Sequence, residues 1–313
     1  MTRSSLLALG AGVASALLYL TILSGSPFAL ALAYFSQTPL FLVGLSLGLA
    51  PAAIACGIAA VGLVAATQVA TAGLFVLLSV LPVVYIVRYG LLSRPGANGT
   101  VEWYPPGMLL AGLTAYGFGL LLLAALLYLG EPGGIEAASR RFLVQFLNIP
   151  SEADTAGAAG PTLELMADLF PGAAVASAMI MIVVNAAFAQ GALFRAGKSL
   201  RPSPDYGAVA LPRWPVIALG IAAVCAFLPD TIGFLGRNAA LIAGVPFALV
   251  GLAVLHAVSR RWPARGLALG LIYVTTIMLG WPAIIVAGIG VIDHWSPLRP
   301  TGGGPAKRPK EDD

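Results

Sequence analysis

Side chains able to hold a proton, a charge or a hydrogen bond are rare inside the long apolar stretches of this sequence. Those present are amides and hydroxyls: Gln37, Gln68, Asn185, Gln190, Asn238, Thr275 and Thr276. An amide at membrane depth either bonds across helices or lines a pocket. Gln37, Gln68, Asn185, Gln190 and Asn238 are therefore the candidate substrate-binding residues. Within the expected helices only His256 is ionisable, and it falls near the basic residue Arg260. Asp230 and Asp293 fall at the edges of apolar runs. Ionisable groups in the membrane mark ion-coupled transporters, pumps and intramembrane proteases, so their scarcity points away from those classes and from an enzyme.

Catalytic and nucleotide signatures are also missing. No Gly-x-x-x-x-Gly-Lys-Ser/Thr loop, no His-Glu-x-x-His and no Gly-x-Ser-x-Gly occurs. Cys56 and Cys225 lie in separate apolar runs without neighbours at metal-ligand spacing. They read as small buried hydrophobes, and no metal or cofactor site is expected. Asn98-Gly99-Thr100 matches a glycosylation sequon, but in a loop expected to be cytoplasmic.

Composition says where these residues must live. Of 313 residues, 17 are Lys or Arg and 13 are Asp or Glu, so 10% are charged. A soluble chain of this length would carry roughly 78 charges. The 84 residues from Ser4 to Val87 contain no Asp, Glu, Lys, Arg or His, and mean hydropathy is +0.92. A soluble enzyme, a nucleic-acid-binding domain and a disordered chain are excluded. The partner implied is a lipid bilayer. The net charge of +4 fits basic cytoplasmic loops and implies no nucleic acid.

A membrane helix needs about 20 mostly apolar residues. The first charge-free run divides into Ser5–Leu23, Phe28–Leu49, Ala52–Ala66 and Ala70–Val87. Ser36-Gln37-Thr38-Pro39 interrupts the second, so residues 28–49 are expected to be broken or re-entrant. Further helices are expected at Met108–Leu129, Ala173–Leu193, Pro215–Leu228 and Ala239–Ser259, with a last apolar run at Gly266–Ile292. Gly44/Gly48 and Gly266/Gly270, at i, i+4 spacing, suit close helix packing.

Charge placement sets orientation. Basic residues dominate loops near Arg88–Arg94, Arg195–Arg213 and Arg260–Arg265 and the tail after Arg299, whereas residues 131–168 are acidic. The positive-inside rule puts the basic loops and both termini on the cytoplasmic side of the membrane. A single crossing at 266–292 would strand the basic tail outside, so Gly280-Trp281-Pro282 is expected to break that run into two short helices. The expected architecture is an all-α polytopic transmembrane helix bundle over residues 1–298, with about eight crossings plus a terminal pair of short helices. In the outward acidic segment 131–170, Ile135–Ile149 and Leu165–Phe170 have amphipathic spacing that suits interfacial helices. Residues 299–313 read as a disordered tail.

The stretch from Asn185-Ala186 and Gln190 through Leu200-Arg201-Pro202-Ser203-Pro204-Asp205-Tyr206 to Leu211-Pro212-Arg213-Trp214 is distinctive. With Leu228-Pro229-Asp230, Asn238, Gly280-Trp281-Pro282 and Ile289–Trp295, it resembles the YybS-like family of uncharacterised bacterial inner-membrane proteins, in its alphaproteobacterial form. The resemblance implies a distant similarity in fold to the substrate-binding subunits of energy-coupling-factor transporters, and no settled activity. One expectation is a solute-binding or transport-related subunit without its own ATPase. Arg201, Pro202, Pro204, Asp205, Tyr206 and Trp214 would then form the loop that docks a membrane or cytoplasmic protein partner. The alternative is a non-transporting scaffold recruiting cell-envelope or division partners through the same loop. An outward cavity lined by the amides would favour the first, and a bundle filled by Leu, Ala and Val the second.

Overall fold

The computed structural model describes residues 3–96, 99–147, 149, 160–296 and 298–299. Asn98 of the sequon and the tail from 300 onward lie outside the described residues. Nearly everything described is helix, as 20-residue apolar runs require when every backbone polar group must be satisfied within the segment.

The helices are α1 (Arg3–Leu20), α2 (Pro27–Tyr34), α3 (Gln37–Leu47), α4 (Leu49–Ala66), α5 (Val69–Phe75), α6 (Leu81–Gly90) and α7 (Pro106–Leu127). They continue as α8 (Gly134–Phe146), α9 (Gly160–Arg195), α10 (Trp214–Cys225), α11 (Asp230–Val258), α12 (Arg265–Leu279) and α13 (Pro282–Trp295). A small hairpin, β1 (Ser93–Pro95) with β2 (Val101–Trp103), caps the α6–α7 turn. Among the described residues seven spans are long and apolar enough to cross a membrane: 3–24, 28–47, 49–66, 69–90, 106–127, 160–195 and 230–258. The eighth crossing expected from sequence is the shorter α10, 12 residues long.

Two expectations about breaks meet the backbone directly. Residues 28–47 are interrupted at Phe35-Ser36, between α2 and α3. The last apolar run splits at Gly280, whose φ of 72° ends α12 before Pro282 opens α13. Such a φ is open to glycine and strained for most other residues. α13 then packs on α11 so closely that a Cβ at Gly251 would collide with the Val286 carbonyl, and one at Gly290 with that of Phe247. The glycine pairs chosen from sequence fare unevenly. Gly44 packs on Val87, Gly48 is the left-handed corner between α3 and α4, and Gly266 and Gly270 meet nothing within 4 Å.

Two helices are longer than expected. α9 begins at Gly160 and α11 at Asp230. Residues 165–170 thus belong to the 36-residue α9, which is about 54 Å long and outreaches a bilayer core. The protruding turns are covered by α8, where Leu143, Leu163 and Ala167 form a small separate core and Phe142 stacks on Phe170 at 5.0 Å. The main core lies among α1, α3, α4, α5, α6, α7, α9 and α11, around Phe41, Phe75, Phe234 and Ile242.

Candidate functional site

Prolines inside membrane helices remove backbone donors, and most of the buried amides sit where those gaps open. Pro82 has no N–H for Leu78 O, four residues back, or for Leu77 O, five back in the π-helical turn Val76–Val80. Gln37 Nε2 donates to Leu78 O at 3.0 Å, and the Tyr116 hydroxyl donates to Leu77 O. At the α2–α3 break before Pro39, Thr38 N turns to Phe35 O at 3.0 Å. The Tyr34 carbonyl is taken up by Asn185 Nδ2 at 2.9 Å, while Thr38 Oγ1 donates to Asn185 Oδ1.

Asn238 acts one rung along from a proline, on the pair next to the Ala167 carbonyl that Pro171 cannot serve. Pro171 lies inside α9, and the Gly172 N–H there donates to Asn238 Oδ1 at 2.6 Å. Asn238 Nδ2 in turn donates to Asp168 O at 2.8 Å. Gly172 N and Asp168 O are the pair a regular helix would join directly, so the amide of α11 is inserted into the ladder of α9. The fit demands glycine at 172, because a Cβ there would lie 2.6 Å from Asn238 O.

The preceding residue, Arg237, corrects the expectation that His256 is the one ionisable group within the helices. Its Nε and Nη2 both donate to the Asp168 carboxylate at 2.6 Å, and Nη1 reaches Ala226 O at 3.2 Å. Asp168, Arg237 and Asn238 thus tie α9, α10 and α11 together at the acidic end of the bundle. Arg237 lies just upstream of the helix expected from Ala239, and its sequence signal was an Asp and an Arg that each stand just before an apolar run, 169–194 and 239–259. Beside the knot an open cavity of about 520 Å³ is lined by Glu136, Arg140, Glu164 and Asp168.

Gln68 is exposed in the α4–α5 corner. Of the five amides, Gln190 alone lines a described cavity, and that cavity lies at the opposite, basic end. Its volume is about 550 Å³, within the range of small-molecule sites. Leu109, Leu113, Val183, Leu249 and Val250 make the walls. Val183 lies roughly 18 Å from the Arg195 end of α9, so the void reaches well into the bundle.

The 199–209 segment folds over the mouth. Leu200 N donates to Leu45 O at 3.1 Å, and Gln190 Nε2 donates to Ser199 Oγ at 3.0 Å and to Arg201 O at 2.8 Å. Arg201, 8% exposed, points back under the loop. Its Nη1 donates to Gly90 O at 2.9 Å, its Nη2 to Tyr104 O at 3.1 Å, and its guanidinium lies 5.7 Å from the centre of the Trp103 ring. Among the described residues it has no carboxylate partner. Burial holds its pKa below the ordinary arginine value, against the opposing influence of the Tyr206 phenol. The same burial raises Tyr206.

Of the loop residues expected to dock a partner, Arg201, Pro204 and Tyr206 line the cavity. Pro202 and Asp205 are exposed, and Asp205 caps its own turn by accepting from Gly207 N at 2.9 Å. Trp214 starts α10 and meets Phe118 at 6.5 Å. A second clamp holds the loop from behind. Buried Asp293 accepts Arg299 Nη2 at 2.5 Å, and Arg299 donates to Gly207 O at 2.6 Å and Val209 O at 2.9 Å. The remaining polar groups at the mouth are His256, Arg260, Arg265 and Tyr273.

The architecture defines an integral, multi-pass helical membrane protein. Comparison of the chain with protein-family models, with curated proteins and with solved structures finds no match. The geometry of the two ends therefore carries the functional reading alone.

Proposed function

We propose that this protein is a solute-binding or transport-related membrane subunit whose binding site is the cavity at its basic end. The carrying observation is that void of about 550 Å³ between α7, α9 and α11, kept open beneath a loop pinned by Gln190, Arg201 and Arg299. A close-packed interior leaves few voids larger than a water molecule. By the positive-inside rule the site would open toward the cytoplasm, not outward, the side on which a cavity lined by the amides would have favoured this reading. The amides contribute through Gln190, while Gln37, Asn185 and Asn238 serve the backbone. The proposed membership of the YybS-like family fits a binding subunit without an ATPase, and the exposed edge of the loop at Pro202 and Asp205 is where a coupling partner would sit.

The test is native mass spectrometry of the chain released from membranes in mild detergent. A retained small molecule, about one per chain, is expected in the wild type and is lost in Ala253→Trp, which fills the cavity. A wild type that carries nothing, with co-purifying envelope or division proteins insensitive to Ala253→Trp, would favour the scaffold instead.

A further inference from the structure

The basic-end cavity combines two features that a site for a sugar, an amino acid or a metal ion would not need together. Its inner walls are aliphatic over a depth of two to three helical turns, from Leu109 and Leu113 on α7 to Val183 on α9 and Leu249 on α11. Its mouth carries positive charge and little negative charge. Arg201 is buried, Arg260 and Arg265 are exposed at the rim, and among the described residues none of the three forms an ion pair. No carboxylate lines this void among the described residues.

A buried cation without a counter-ion is costly. Arg201 spends two of its five donors on the Gly90 and Tyr104 carbonyls, which leaves three for a further acceptor. The contrast with Arg237 is informative, because there the same guanidinium fork is closed by Asp168. His256 directs Nδ1 to Leu252 O at 2.9 Å, and among the described residues Nε2 has no hydrogen-bond partner at the mouth. A planar fork with free donors suits phosphate or carboxylate oxygens.

One side of the void is closed by α12, which contributes Arg265 and Tyr273. No residue of α12 is buried, and Leu267, Leu271, Ile277 and Met278 are all exposed. A weakly packed apolar helix beside the void gives a hydrocarbon chain a route from the surrounding lipid.

We infer that the cavity takes an anionic amphiphile, with a phosphate or carboxylate head on Arg201 and a hydrocarbon tail between α7, α9 and α11. This rests on the cavity being a binding site, as proposed above. The head lies at the basic mouth, where Arg260 and Arg265 add attraction, and the tail replaces the missing wall contacts of the void.

The full-length chain in mild detergent is titrated with dodecyl phosphate, dodecanol or inorganic phosphate and followed by native mass spectrometry. Dodecyl phosphate should bind one per chain and at least about tenfold more tightly than dodecanol, from the charge-assisted hydrogen bonds to its head. Inorganic phosphate, lacking the tail, should compete poorly. Arg201→Gln should weaken dodecyl phosphate about 10- to 100-fold and leave dodecanol unchanged. Because Arg201 also anchors the loop, Arg265→Gln provides a variant at a side chain that makes no hydrogen bond among the described residues. It should weaken dodecyl phosphate up to about fivefold with an unchanged melting temperature. Equal binding of dodecanol and dodecyl phosphate, insensitive to both variants, overturns the anionic head while the cavity stands as a site. Inorganic phosphate binding as tightly as dodecyl phosphate overturns the tail. No binding of any probe overturns the inference, and a cavity also empty in protein taken from membranes brings down the functional reading with it.

Discussion

The two ends of this bundle handle an arginine in opposite ways. At the acidic end Arg237 is matched by both oxygens of Asp168, and Asn238 beside it bridges the Asp168–Gly172 rung of the helix next to Pro171. At the basic end Arg201 is more deeply buried, meets only carbonyls and a ring, and faces a void of about 550 Å³. Both ends carry a cavity, but the arginine at the acidic end is neutralised within the chain and, among the described residues, the one at the basic end is not. Polar groups that satisfy one another hold helices together, whereas polar groups left with spare donors beside an apolar cavity mark where another molecule belongs.

Substitutions can break this comparison from either side. Asn238→Leu should cause the largest loss of stability. It leaves the Gly172 N–H and the Asp168 carbonyl without that amide, at about 1–3 kcal/mol for each group left unpartnered. Thermal unfolding should register the loss, while ligand occupancy of the surviving folded protein stays at the wild-type level. Ala253→Trp should do the reverse, lowering occupancy more than about tenfold by filling the void, with a melting temperature close to that of the wild type. A loss of occupancy in Asn238→Leu equal to that in Ala253→Trp would erase the distinction between the ends.

A finer test concerns why the amide is there at all. If Asn238 bridges the Asp168–Gly172 rung because Pro171 opens the ladder beside it, then Asn238→Ala should cost less in a Pro171→Ala background. The expected coupling is about 1 kcal/mol, measured by a double-mutant cycle on thermal unfolding. The smallest effect is expected at the Arg94–Glu102 pair of the hairpin, whose side chains are 80% and 50% exposed. Arg94→Ala should change stability by less than about 1 kcal/mol and leave occupancy unaltered.

Much of the architecture was legible in the sequence because membrane helices are read by length and hydropathy. The runs that became α1, α4 and α7 needed no knowledge of their neighbours. The breaks at Ser36 and Gly280 were visible in Pro, Gly and polar punctuation. The starts of α9 and α11 were missed because their first turns carry charge, at Glu164, Asp168, Asp230 and Arg237. Those charges remain helical because α8 covers one stretch and the Asp168–Arg237 pair neutralises the other. That compensation is tertiary and leaves no local pattern.

The candidate site was legible in fragments. Arg201, Pro204 and Tyr206 stood out as an unusual loop, yet their turn into the bundle depends on Gly90, Tyr104 and Gln190, which lie far from them in sequence or on another element. The cavity itself was invisible, since its lining is ordinary Leu, Val and Ala and a void arises from how helices fail to meet. The amides drew attention for their polarity, and three of the five turn out to answer prolines and helix breaks elsewhere in the chain.

The most direct measurement is a density map of the wild-type protein in a lipid nanodisc, at a resolution that shows side chains. An elongated feature between α7, α9 and α11, ending in a compact head beside the Arg201 guanidinium, is the predicted result. Helices closed on one another across that space, with Arg201 turned to a carboxylate of its own chain, would contradict it.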